Sequence, residues 1–227
     1  MAGLRQQRLC LVGLMTLAAS LTAGCTLSSL PYFLSGDDPK QAPGEMGFNA
    51  PDKKKPATVA IFIYSGLETR PEFVTADRDL SSSLVRILQQ RCPENHQYVR
   101  FIPPGKIEEF KKAHSDWHSM PLKELGSRFD ADYVIYLELE SLSLYEKGSS
   151  NQLYRGRTSI AVTQLDLRRK DEYPLEKQFT CEYPAARGPI AVDDQNPREF
   201  YLAFLNYVSK HLSWYFTAYP PEEGLCE

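Results

Sequence analysis

The chain has 227 residues, 42% hydrophobic and 24% charged, with 26 basic against 29 acidic side chains and a formal net charge of −3. That composition excludes a disordered or collagen-like chain and is long enough to bury one sizeable core. The acidic balance argues against nucleic acid, or an anionic lipid surface, as a general electrostatic partner.

The N-terminus reads as a secretion signal. Arg5 and Arg8 supply a basic start, and Leu9 to Ala23 supply an apolar run shorter than the roughly 20 residues that span a bilayer. The run ends in Leu21-Thr22-Ala23-Gly24-Cys25. This resembles the bacterial lipobox, in which small residues precede a cysteine that is acylated and becomes the mature N-terminus. One position departs from the pattern: Thr22 stands three residues before the cysteine, where leucine is usual. The resemblance implies an anchor of two or three palmitate-type acyl chains on Cys25, stable where a single chain is marginal, with membrane lipid as the partner. The alternative is an ordinary cleaved signal in which Cys25 is incidental. In similar lipoproteins an aspartate after the cysteine marks inner-membrane retention. Thr26 stands there instead, which points to the outer membrane and its periplasmic face. Cleavage after Gly24 removes Arg5 and Arg8, leaving 24 basic and 29 acidic residues and a net charge of −5.

Beyond Cys25, residues 26–56 carry Pro31, Pro39, Pro43, Pro51 and Pro56 with Gly36, Gly44 and Gly47. No apolar period runs through them, so a flexible linker is expected to precede one folded domain over residues 57–219, with a tail at 220–227. Thr58 to Tyr64 is a short apolar strand. A helix follows from about Ala76 to Arg91, with Leu80, Leu84, Ile87 and Leu88 on one stripe, Thr75 as N-cap and Pro93 as stop. Tyr98 to Ile102 is a second strand. Lys106 to His114 and Pro121 to Phe129 are short helices.

Asp130 to Tyr145 is the central strand. Tyr133 to Tyr136 are continuously apolar, as in a strand covered on both faces; then Leu137 and Leu139 alternate with Glu138 and Glu140. The apolar phase slips by one residue before Leu142 and Leu144, so a bulge near Ser141 is predicted to keep all four leucines on one face. Tyr154 to Leu167 is a long strand with Ile160 and Val162 on one face and Arg155 and Arg157 on the other. A charged turn joins it to a strand near Tyr173 to Tyr183, forming a hairpin. The last helix runs from Pro197 to about Ala218, with Asn196 as N-cap and Glu199 completing a variant of the capping box. Together these elements predict an α/β single domain: a mixed β-sheet with helices packed on it.

The segment from Phe129 through Asp-Ala-Asp-Tyr-Val-Ile-Tyr-Leu-Glu-Leu, followed by Tyr154-Arg-Gly-Arg-Thr-Ser-Ile-Ala-Val-Thr-Gln-Leu-Asp-Leu, resembles a group of bacterial envelope lipoproteins. These are similar to the curli-secretion channel lipoprotein, the penicillin-binding-protein activator lipoprotein and the amino-terminal domain of the Tol translocation protein. The resemblance spans roughly Thr58 to Tyr183 and rests on strand patterns. Tyr173-Pro-Leu-Glu-Lys-Gln-Phe departs from the group's usual closing strand, and the long amphipathic insertion of the curli channel is missing. The resemblance implies a non-enzymatic periplasmic scaffold, or a domain that binds an envelope protein partner or forms a homo-oligomer. The alternatives are a secretion-ring subunit and an envelope hydrolase.

Five cysteines occur. Cys10 leaves with the signal and Cys25 takes the lipid, leaving an odd set of Cys92, Cys181 and Cys226. The most economical pairing in an oxidising compartment is Cys92 with Cys181; the alternative is two small buried thiols. The chemistry-bearing patterns are sparse. His114 and His118, with Asp116 between them, have helical spacing for zinc but lack the zincin glutamate, and loop histidines are the plainer reading. Asp130 and Asp132 suggest paired carboxylates; turn and helix-end capping explains them more simply. Asp193-Asp194 lacks the spaced calcium pattern. No hydrolase, nucleotide or dinucleotide signature occurs. We therefore expect no enzyme, no cofactor and no metal. Trp214, Tyr215, Phe216 and Tyr219, crowded near the end of the last helix, are a candidate interaction surface for a partner or the membrane; the alternative is burial in the core.

Overall fold

The computed structural model describes residues 40–66, 73–169 and 173–220. The signal region, Cys25, residues 26–39 and Cys226 lie outside them. The order is β1 (Ala57–Ser65), α1 (Ala76–Glu94), β2 (Val99–Phe101), α2 (Pro104–Ala113), a 3-10 turn at Trp117–Ser119, α3 (Leu122–Ser127), β3 (Tyr133–Tyr145), β4 (Leu153–Asp166), β5 (Leu175–Tyr183), β6 (Ile190–Ala191) and α4 (Pro197–Ser213). The strands form one mixed sheet in the order β2-β1-β3-β4-β5, with β6 pairing the start of β4. β1 runs parallel to β2 and β3, while β3, β4 and β5 form antiparallel ladders. This is the α/β architecture predicted.

The continuous apolar run of β1 follows from its central place: residues 57–63 are all buried, covered by helices on both faces. The ladder between β3 and β4 shifts register between Leu139 and Ser141. That bulge keeps Leu137, Leu139, Leu142 and Leu144 in one core cluster, beneath α1 and α4. The opposite face is covered only in part. α2, the 3-10 turn and α3 bring Ile107, Trp117 and Leu125 onto Ala60, Phe62 and Val134, at β1 and the start of β3. Helix α4 sits close on β4: a Cβ added to Gly156 would lie 2.6 Å from the Phe204 ring, so only glycine admits this approach.

Four local expectations change. α1 runs on to Glu94 with Pro93 in its last turn, and Thr75 Oγ1 hydrogen-bonds Asp79 Oδ2 instead of capping the backbone. α4 ends at Ser213, with Asn196 Oδ1 accepting from Arg198 N as predicted. The linker does not extend to Pro56. Met46, Phe48 and Ala50 are buried in the main core, and Gln41 bridges Tyr219 by paired backbone hydrogen bonds of 2.7 and 3.0 Å. Three apolar residues at even spacing, 46, 48 and 50, carry that strap, and the prolines around them masked it.

The same strap helps overturn the candidate interaction surface. Trp214, Phe216 and Tyr219 are buried, and Tyr215 is partly buried with its hydroxyl donating to Gln178 O at 3.2 Å. Phe48 stacks on Phe216 at 5.6 Å, and Tyr219 stacks on Trp214 at 4.8 Å. Residues 40–50 cover Phe216 and hold the Tyr219 backbone, His211 and Tyr219 pack on Trp214, and Tyr215 meets Phe179 of β5.

Candidate functional site

Past the cover of α2 and α3, the second face of β3, β4 and β5 carries Glu138, Glu140, Ser141, Arg155, Arg157, Ser159, Gln178, Thr180 and Glu182, none of them buried. Period-2 alternation sends these outward while Tyr154, Ile160, Val162 and Phe179 face the core. The polar side chains are tied to one another. Arg157 Nη2 donates to both oxygens of Glu146 at 2.9 and 3.0 Å, and its Nε donates to Glu182 Oε2 at 2.8 Å. Arg155 crosses the same two carboxylates, at 3.3 Å from Glu146 Oε2 and 2.9 Å from Glu182 Oε1. The Arg157 hydrogen bond, with the two guanidinium charges, holds the Glu146 carboxyl below its usual range. One step along, Glu140 Oε2 accepts from Ser159 Oγ at 2.9 Å and Gln178 Nε2 at 2.7 Å. Arg155 and Arg157 balance Glu146 and Glu182, while Glu138 and Glu140 leave the face acidic; its side chains are already ordered, which lowers the entropic cost of docking against it.

A second polar cluster closes the carboxyl end of β1, where α1 leaves toward one face and α2 and α3 toward the other. Open α/β sheets place ligands at such a switch point. Here the Lys111 ammonium donates to Ile63 O at 3.0 Å, Asp77 Oδ2 at 2.8 Å and Glu108 Oε1 at 2.7 Å, with the Trp117 ring 5.1 Å away. Its three donors are all engaged. Lys111 therefore fastens α2 to β1 and α1.

The predicted site residues are scattered. His114 stacks on Phe110 at 4.3 Å with Nδ1 3.0 Å from Phe110 O, while His118 stacks on Tyr64 at 5.0 Å. The two imidazoles thus lean on different aromatic rings, with Asp116 exposed between them. Among the described residues no group of three or more His, Cys, Asp or Glu is placed to hold a metal. Asp132 does not cap a helix: its Oδ2 accepts from Thr58 N at 2.7 Å and so clamps β1 to β3. Asp130 occupies the turn before it with φ +47°. Asp193 and Asp194 are exposed in the turn after β6. Cys92 and Cys181 are not joined to each other; both are buried thiols. Cys92 lies on α1 over β1 and β2, and β3 and β4 stand between those strands and Cys181 on β5. Burial pushes the Cys92 thiol up to about 12, against the opposing hydrogen bond with Thr217.

Sequence reasoning missed one cluster. Asp166 Oδ1 accepts from Arg168 N and Nε at 3.1 and 2.9 Å, and its Oδ2 accepts from Arg168 Nη2 at 2.7 Å. Arg168 also donates to the Tyr133 hydroxyl and, at 2.9 Å, to Asn49 O, with its guanidinium 4.4 Å from the Tyr133 ring. Asn49 N donates to the same hydroxyl at 2.9 Å. Burial alone would raise the Asp166 carboxyl, yet the Arg168 hydrogen bonds and charge carry it below its ordinary value. The signal was the alternation in β4, where Gln164 and Asp166 continue the buried face of Ile160 and Val162.

No known family profile matches the chain, and no curated protein does. Among solved structures, the chain is similar to lipoprotein GNA1162 from Neisseria meningitidis, with 14% identity, a TM-score of 0.41, and 70% of this chain and 99% of that one covered. It is also similar to the PelC dodecamer from Paraburkholderia phytofirmans, with 9% identity, a TM-score of 0.44, and 79% and 98% covered. The hypothetical protein CT253 from Chlamydia trachomatis matches at 14% identity and a TM-score of 0.45, with 71% and 92% covered. At identities and scores this low, function has to be read from the chain's own residues.

Proposed function

We propose that the chain is a bacterial envelope lipoprotein, anchored through acyl chains on Cys25, whose domain works by binding another envelope protein through the bare face of β3, β4 and β5. The observation that carries the reading is that face: three paired strands left without helical cover, with side chains held in a lattice of ion pairs. The apolar run ending at Cys25 supports the anchor. A binding rather than catalytic role is supported by the ties of Lys111 and Asp132, whose polar atoms are spent on holding elements together. Because the strap from residue 40 belongs to the domain, the linker expected to run to Pro56 ends before residue 40. A lipid anchor on the same chain concentrates the domain near partners on the same membrane surface.

The test is site-specific photo-crosslinking in membranes, with the crosslinker at Gln178 or Thr180 and a control at exposed Lys53. The reading expects a discrete adduct from the sheet face and none from Lys53. An adduct at twice the chain's mass assigns the face to a second copy and favours a ring subunit. Equal labelling at all three positions, or none, contradicts a partner surface there.

A further inference from the structure

Charge is spread unevenly along the bare face of β3, β4 and β5. At one end Arg155 and Arg157 are spent on Glu146 and Glu182. Toward the cover of α2 and α3 the same face carries Glu138, Glu140 and Glu176, all exposed and none in an ion pair among the described residues. Register places them: Glu138 stands beside Tyr64 of β1 and Ala161 of β4, and Glu176 stands beside Thr163. Glu140 is the extra residue of the bulge, and its Oε2 is held by two neutral donors, Ser159 Oγ and Gln178 Nε2. Those bonds fix the carboxylate in place and leave its charge unanswered.

The shape of the face defines what would answer it. Glu138 and Glu140 are two strand residues apart, about 7 Å, so their negative charges repel across a short gap. The floor between β3 and β5 is short-chained, with Ser159, Ala161 and Thr163 of β4, and a side chain can lie along it. At the covered end Tyr64 and Tyr136, both partly buried, each pack on Trp117 at a ring distance of 6.0 Å. Tyr64 is the lateral neighbour of Glu138, and Tyr136 precedes it by two residues on the same face. A carboxylate beside phenol rings suits a guanidinium, whose fork takes the carboxylate while its flat face takes a ring.

We infer that the occupant of this face is a basic segment of the partner protein, which sets an arginine on Glu138 against Tyr64 and Tyr136 and a second cation on Glu140. The inference rests on the partner reading above and supplies the chemistry of that partner. An acidic segment would be repelled here, and an apolar one would bury unpaired carboxylates.

The test uses the full-length protein in membranes with a photo-crosslinker at Thr180. Wild type is compared with Glu138→Gln plus Glu140→Gln, and with Glu94→Gln plus Glu199→Gln, the same charge change at exposed positions of α1 and α4 behind the sheet. The adduct should fall about fivefold or more in the first double variant, the loss expected for two exposed ion pairs, and keep its wild-type yield in the second. Digestion with glutamyl endopeptidase and mass spectrometry should place the crosslink in a partner peptide that carries an arginine and a further basic residue. The inference is overturned, with the partner face intact, if both double variants respond alike, or if the crosslinked peptide lacks those residues or belongs to a second copy of this chain. If wild type gives no adduct, the partner face falls and this inference falls with it.

Discussion

Replacing Phe48 by alanine tests whether residues 40–50 belong to the domain. Phe48 is 4% exposed, stacks on Phe216 at 5.6 Å, meets Tyr133 edge-on at 5.3 Å and faces Phe101 at 6.1 Å. Its backbone N–H donates to Phe216 O at 3.2 Å. Truncating a buried phenylalanine costs about 3–5 kcal/mol. At roughly 2–4 °C per kcal/mol for a domain of this size, the thermal midpoint should fall by about 6–20 °C. Urea titration followed by tryptophan fluorescence reads the same change as a lowered midpoint with little change in slope. Lys53→Ala, at an exposed position just beyond that segment, should stay within about 0.5 kcal/mol of wild type. Combining Phe48→Ala with Phe216→Ala should show a coupling of at least about 0.5 kcal/mol, since the rings are in contact. A Phe48→Ala midpoint equal to that of Lys53→Ala would refute the reasoning and return the strap to the linker.

Gly156→Ala should destabilise by about 1–3 kcal/mol, because the added methyl meets the Phe204 ring at 2.6 Å and forces α4 off the sheet; urea midpoints measure it. Asp166 has a folded value below its ordinary 3.8, so its contribution is complete above that value and fades as pH falls through the folded one. The stability gap between wild type and Asp166→Asn should therefore be constant near neutral pH and shrink below about pH 4. Cys92, buried and pushed up to about 12, should resist maleimide in the native protein and react once urea unfolds it, as peptide mass mapping would show.

The sheet was legible because its strands announce themselves in two different ways. β1 and the start of β3 are uninterrupted apolar runs, as central strands must be, and the phase slip at Ser141 located a bulge that the ladder contains. The strap was not legible, since its buried residues lie among prolines and glycines and form almost no regular structure of their own. Missing it carried the second error with it: an aromatic-rich helix end looks unpartnered more readily while the segment that covers Phe216 is taken for linker. The Cys92 and Cys181 pairing failed for a related reason, as cysteine number says nothing about which strands separate two sulfurs. Gln164 and Asp166 could have been found, because polar residues in phase with Ile160 and Val162 break a core pattern that the sequence displays.

The account rests on the chain being held at a membrane, and intact mass spectrometry of the full-length protein extracted from membranes, beside Cys25→Ala, tests that most directly. A chain beginning at Cys25 and heavier by glycerol-linked acyl groups, with the variant released from the membrane, is the predicted result. An unacylated chain that leaves the membrane fraction regardless of Cys25 would contradict the account.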